Sequence, residues 1–292
     1  MDTGRQSTTP LSRPELQDLH RKAAAIRRHL IEMLYSGGSG HPGGCMSAVE
    51  ILTALYFREM KIRPDEPEWP LRDRFVLSKG HAAPLLYAVL AEAGFFPLDW
   101  LKSFQQNGTR LQKHLDMHKI PGAEVSTGSL AQGLSVAAGM ALADRIDKLD
   151  RYVYVLIGDG ESQEGQIWEA ALSAAQFKLD RLIVFLDQNR LQVDGWVDEI
   201  NSLEPLAEKW KAFRWHVSEI DGHDFHQIIA ALEEARTQRG APHLILAHTT
   251  KGKGISFMED RFEWHSKALS EEQYFNALSE LDKAETRIGA ES

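Results

Sequence analysis

One cysteine, Cys45, is all that 292 residues contain, which excludes an internal disulfide framework and fits a reducing compartment. Long apolar runs are missing too: nothing approaches the about 20 consecutive apolar residues of a membrane span. The opening MDTGRQSTTPLSRP is polar and carries no signal-peptide core, so the cytoplasm is the expected location. Positive charge is in deficit. A net charge of -9 and a pI near 5.8 argue against a general electrostatic hold on nucleic acid or on an anionic membrane. A small anionic ligand would therefore need a local site. Internal repeats and low-complexity segments are also absent, and the length favours one large domain over two small ones.

What is present reads as alternating structure. Ser12 and Pro14 are start signals for a helix whose apolar positions Leu16, Leu19, Ile26, Leu30 and Met33 fall at helical spacing, and Gly37 and Gly38 end it. The loop SGGSGHPGG leads into MSAVEILTALYF, which reads as one helix of ordinary length, and a Pro-rich connector follows near Pro64 to Pro70. Beyond it, short apolar runs alternate with helical stretches: RFVLS, YVYVLIG, RLIVFLD, RWHVSEI and HLILAHT. That rhythm predicts an α/β fold with a mostly parallel sheet and helices on both faces. The expected division is a mobile tail over 1–12, a ligand-binding domain over 13–270, and a C-terminal helical extension over 271–292.

In such a sheet the ligand lies beyond the carboxyl ends of the strands. SKGH follows RFVLS, GDGESQEG follows YVYVLIG, DQNRLQVDG follows RLIVFLD, and DGH follows RWHVSEI. Asp159 sits at a strand end between Gly158 and Gly160, glycines that let backbone approach an anion, with a helix N-terminus close behind. Magnesium takes hard oxygen ligands, commonly one or two from protein side chains and the rest from phosphate and water. Asp159 offers a carboxylate, Asn189 an amide oxygen, and Leu191 a backbone carbonyl. Taken singly, Asp159 reads equally well as a helix cap and Asn189 as a turn residue. The pair, with 28 residues between Gly160 and Asn189, forms the signature of a thiamine diphosphate and Mg2+ site, with Ca2+ or Mn2+ able to substitute.

Further segments give the chain a specific resemblance. SGHPGG, FVLSKGHAAPLLYAVL, HLDMHKIPGAEVSTGSLAQGL, GDGESQEGQIWEA, FLDQNRLQVDG and KGKGISFMEDRFEWHSK resemble, in order and from about residue 15 to 270, the N-terminal region of transketolases. The resemblance implies that Asp159, Asn189 and the Leu191 carbonyl hold the metal. It places His81, Gly158, Gly160 and Asn189 at the cofactor diphosphate, and Gly128 and Leu130 along its aminopyrimidine and thiazolium. His41, His114 and His265 become the catalytic imidazoles around the reactive carbon and the sugar, His265 also lying close to the diphosphate. Imidazoles near neutral pKa suit proton movement on sugar hydroxyls. His20, His29 and His243 lack such context. Zinc is disfavoured, since the four motif histidines have no short paired spacing and no companion cysteine. Cys45 reads as a small buried residue.

Two departures stand out. Ala131 occupies a place where the family commonly has glycine, adding a methyl expected to shift the following helix, and Ser266 follows His265 where glycine is common, with a stiffer loop expected. The resemblance also implies a partner. In full-length transketolases a second and a third domain complete the site, so a separate chain carrying the pyrimidine-binding and C-terminal domains is expected here, in an assembly with two copies of each. The expected activity is two-carbon ketol transfer from a ketose phosphate to an aldose. The alternatives are the alpha subunit of a thiamine-dependent 2-oxo-acid decarboxylase, against which HPGG, SKGHAAP and WHSK count, and a non-catalytic regulatory relative.

Overall fold

The computed structural model describes residues 11–290; residues 1–10 of the expected N-terminal tail, and 291–292 at the other end, lie outside the described residues. Helix α1, Arg13–Ser36, opens with a reciprocal cap: the Glu15 amide donates to the Ser12 hydroxyl while the Ser12 amide donates to the Glu15 carboxylate. Two otherwise orphaned donors are satisfied at once, and Gly37 ends the helix as expected. The segment expected to be one helix from Met46 instead starts earlier and breaks. Helix α2, Pro42–Met46, begins directly after His41, and α3, Val49–Ala54, runs on into a wide π turn over Leu55–Glu59. The break lies at Ser47 and Ala48, and Ser47 turns its hydroxyl to a distant carboxylate, Asp187, at 2.6 Å.

Five strands follow the predicted runs: β1 Arg74–Leu77, β2 Val153–Gly158, β3 Leu182–Gln188, β4 His216–Asp221 and β5 His243–His248. They form one all-parallel sheet in the order β1-β2-β3-β5-β4. Every residue of β2 and β3 is buried, which is why those strands read as unbroken apolar runs. Alternate residues serve two cores. Tyr154, Leu156, Ile183, Phe185 and Ile245 pack with α1, α3, α4 (Ala83–Glu92) and α9 (Phe225–Thr237). Val155, Ile157, Val184, Leu186 and Leu244 pack with α5 (Gln132–Ile146), α6 (Gly165–Gln176) and α8 (Leu206–Ala212). A short α7, Val197–Asn201, follows β3.

The C-terminal segment forms α10, Glu271–Ala290, and lies along α1. Tyr274 stacks on Tyr35 with centroids 4.1 Å apart, Arg28 reaches Asp282 and Glu285, and Ala277 and Leu281 are buried in the first core. No helix among the described residues is long and apolar enough to cross a membrane.

At the strand end far from the glycine-rich loops, the His243 Nε2 lies 2.6 Å from the Ser218 hydroxyl. Burial, with the nearby His216 charge second, pushes His243 down to about 4. The folded group therefore binds its proton later than the unfolded one, so its contribution is full above pH ~6.5 and is lost as pH falls toward 4. The stability difference between the wild type and His243→Gln, from urea midpoints at pH 7.5, 6 and 5, is expected to shift steadily against the wild type as pH falls. A constant difference would refute this.

Candidate cofactor site

The carboxyl ends of β1, β2, β3 and β5 meet at a cavity of about 230 Å³. Its walls include His81, Leu130, Gly158, Asp159, Gly160, Asn189, Leu191 and His265, all named from the sequence, together with Lys79, Gln192 and Lys251. Gly158 pairs in register with Asp187, so Asp159 stands one residue beyond the sheet, beside the turn that carries Asn189.

Asp159 is buried, and its two oxygens accept from the Gly160 amide at 2.7 Å and the Arg190 amide at 2.5 Å. Capping and pointing into the cavity are thus done by one carboxylate. Burial first, and the charge of Asp187 second, push its carboxyl well above the usual range. Asn189 donates to Asp187 and accepts from the Leu191 amide, each at 3.2 Å, a local turn that fixes the side chain. The Leu191 carbonyl is engaged by the Lys251 ammonium at 2.7 Å, leaving its second lone pair.

Two buried lysines stand beside the motif residues without having been singled out by any motif. Lys79, directly after β1, donates to the Gly44 carbonyl at 2.8 Å and pairs with Asp187. Asp187 also accepts from Ser47, Thr249 and Asn189; burial alone would raise it, but the Lys79 charge and these donors hold it below the usual range. Lys251, 2 % exposed, touches both Leu191 and the His265 Nδ1, at 3.0 Å, and burial draws it below the ordinary lysine range. The signal was present in SKGH and KGKG, lysines beside glycines at strand ends, but lysine in a sequence defaults to solvent. Glu161 was also missed: it accepts from Ser78, Ala131 and Gly158 and ties three loops together.

The histidines divide. His41, His81 and His265 cluster with ring centroids 5.2 to 5.5 Å apart. His114 stands on the other side of the TGSL turn, where a Cβ added to Gly128 would lie 3.3 Å from its ring. Gly128 in turn meets the SKGH loop so closely that a Cβ on Gly80 would lie 2.5 Å from the Gly128 nitrogen. The expectation of near-neutral imidazoles is corrected: burial, helped by neighbouring charges, pushes His41 down to about 4, His265 to about 3, and His81 well below its usual value. They stand neutral at pH 7, each with one donor and one acceptor nitrogen.

The loop behind Lys251 is braced from below. The buried Glu50 pairs with Arg27 at 2.7 Å and with the His223 Nδ1 at 3.0 Å, while the His223 Nε2 accepts from the Thr250 amide at 2.9 Å. Ala131 has φ +70, the left-handed region where glycine is favoured, so its departure acts through backbone strain of about 1–2 kcal/mol. Ser266 is in extended backbone that any residue adopts.

The residues fit a metal-bridged diphosphate. Asp159 and Asp187 crowd negative charge that a cation would relieve, the ammonium groups of Lys79 and Lys251 suit an anion, and buried Gln192 Oε1 and His41 Nδ1 lack partners among the described residues. Cavities for whole drug-sized ligands run from about 300 Å³ upward, so this one suits one end of a cofactor.

Comparison with known proteins agrees. The family described as "Transketolase, thiamine diphosphate binding domain" matches residues 19–283. The 6-deoxy-6-sulfo-D-fructose transketolase subunit of Clostridium sp. (strain MSTE9) is 51% identical over 266 residues, covering 91% of this chain and 97% of its own. One of the subunits of the apulose-4-phosphate transketolase of Phocaeicola vulgatus is 41% identical over 278 residues, covering 95% of this chain and 99% of its own. The solved transketolase of Campylobacter jejuni superposes with a TM-score of 0.86 at 32% identity, over 93% of this chain; this chain spans 45% of that longer one.

Proposed function

Given that this chain belongs to the transketolase family, we propose that it is the diphosphate-binding subunit of a two-chain, Mg2+-dependent transketolase that moves a two-carbon ketol unit between sugars. The observation that carries the reading is the single cavity lined by Asp159, Asn189, Leu191, His81 and His265, with Lys251 at its floor. Support for a second chain comes from the likeness, over nearly the full length, to chains themselves called subunits. The partner carries the pyrimidine-binding and C-terminal domains, and the assembly holds two copies of each chain in the cytoplasm. The C-terminal helical extension from 271 forms α10, which closes over α1 and packs with the binding domain.

Asp159, Asn189 and the Leu191 carbonyl would hold Mg2+, with Ca2+ or Mn2+ as substitutes, and Gly158 and Gly160 would let the diphosphate close on the backbone. His81 and Lys251 would face its oxygens. Gly128 and Leu130 would line the ring system. When bound, thiamine diphosphate supplies the electron sink for breaking a carbon–carbon bond beside a carbonyl. The chain's own part is positional and protonic. His41, His265 and His114 hold sugar hydroxyls and pass protons on and off their oxygens, which imidazoles can do in either direction. Lys251 holds the His265 Nδ1 at 3.0 Å, which leaves the Nε2 for a substrate oxygen.

The pair of chains, supplied with thiamine diphosphate and Mg2+, is expected to transfer a ketol unit from a ketose phosphate to an aldose, measured by product chromatography, while this chain alone does not. Release of carbon dioxide from a 2-oxo acid without ketol transfer would overturn the reading.

A further inference from the structure

Between residues 104 and 120 the chain builds an open cavity of about 740 Å³ that the proposed chemistry does not use. Gln105, Asn107, Arg110, Gln112, Lys113 and Lys119 line it, and none of its lining residues is acidic. The whole chain carries a net charge of -9, yet residues 105–119 hold three basic side chains against one acid. That acid, Asp116, pairs with Lys119 at 3.2 Å, and the Arg110 guanidinium lies over the Trp100 ring at 4.7 Å. Lys113 is exposed and has no ion pair or hydrogen bond from its ammonium among the described residues.

The cavity is fastened to the imidazoles at two points. Gln105 exchanges hydrogen bonds with Ser39, at 3.0 and 2.9 Å, two residues before His41. The buried Tyr87 hydroxyl lies 2.9 Å from the Gln112 carbonyl and 3.2 Å from the His114 carbonyl, so the backbone on both sides of Lys113 is held from beneath. A pinned backbone removes the cost of ordering the loop on anion binding, leaving only the side-chain rotamers to be fixed. Its charge already reaches His41, where it stands second to burial among the causes that keep that imidazole neutral. The rest of the lining offers side-chain amides, groups that suit sugar hydroxyls.

We propose that this loop seats the anionic end group of the sugar, a phosphate or a sulfonate, with Lys113 and Arg110 as its charged contacts. The proposal rests on the ketol-transfer reading above and adds that this chain, and not only its partner, selects substrates by their terminal charge. An extended sugar can keep its reacting carbonyl end at His41 and His114 while its far end lies over Lys113.

The test uses the two-chain enzyme and three ketoses of equal length, one ending in phosphate, one in sulfonate and one uncharged. With the double variant Lys113→Gln, Arg110→Gln, the ratio of KM for the charged ketose to KM for the uncharged one is expected to rise about tenfold. Whether the phosphate or the sulfonate ratio responds identifies the end group. A ratio that stays level for both overturns the proposal. A second measurement stands apart from activity: titration of the isotope-labelled full chain with inorganic phosphate and with sulfate should move the amide signals of Gly108 and Lys113 saturably, and Lys113→Gln should abolish the movement. Absence of that movement in the wild type refutes the seat. If the pair transfers no ketol unit from any ketose, the function reading fails by itself, and the titration still decides on the anion seat.

Discussion

Asp159→Ala is expected to weaken Mg2+-dependent binding of thiamine diphosphate to the two-chain assembly by at least about a hundredfold. The carboxylate sits one residue beyond β2, accepts the Gly160 and Arg190 amides, and lies close enough to Asp187 for their charges to repel. Alanine removes a charged oxygen from a site where magnesium has few protein ligands, and the metal-bridged diphosphate loses its anchor. Stability of the ligand-free chain should move by less, about 1 kcal/mol either way, because two amides lose their acceptor while a buried repulsion disappears. Calorimetry with Mg2+ and cofactor, run beside a urea melt of the same protein, separates the two effects. Unchanged affinity in a folded Asp159→Ala variant would defeat the metal assignment. Asp159→Asn retains an acceptor for one amide and should fall between the two.

Lys79→Met should be the most damaging change to the fold itself, at about 3–5 kcal/mol, since it leaves a carboxylate buried without its cation. Asp187 is fully buried and its pairing with Lys79 is the main force holding it ionised. Without that ammonium, Asp187 and Asp159 face each other with only Lys251 nearby, so the variant should bind Mg2+ as a partial replacement and regain stability with added metal. The double variant Lys79→Met, Asp187→Asn keeps an acceptor for one of Ser47 and Thr249, which bond different oxygens of Asp187, while deleting the stranded charge, and should recover part of the loss. Urea denaturation of the four proteins of this cycle checks the claim. Additive losses would show that the ion pair is not what holds this corner.

The fold was legible where a rule is local or periodic. Continuous runs such as YVYVLIG and RLIVFLD announce strands covered on both sides, and Ser12 with Glu15 announces a helix start. The helix break at Ser47 was not legible, and the Ser47 hydroxyl found there is bonded to a carboxylate 140 positions away, a contact no local pattern announces. Asp159, Asn189 and His265 were found from motifs, and the cavity brings them together. Lys79 and Lys251 were overlooked although their segments were in view, since nothing local tells a buried ammonium from a solvated one. The acidity of His41 and His265 was misjudged for the same reason: burial is a property of the whole fold. Ala131 was noticed, but the effect assigned to its methyl belongs to its backbone angle.

The strand order sets a timetable. β5 is made last among the strands yet lies inside the sheet, between β3 and β4, and the residues just after it supply Thr249 to Asp187 and Lys251 to the cavity floor. Arg27 of α1 waits for the Lys253 carbonyl, 226 residues downstream. A ribosome that has delivered Asp159 and Asn189 has therefore delivered two acidic strand ends and no pocket. The nascent chain must hold β3 and β4 apart, or unpaired, until β5 threads between them. Closure of so distant a contact is slow compared with local helix formation. The cavity is accordingly among the last parts of the molecule to exist, and a chain stalled before residue 243 presents an open strand edge in its place.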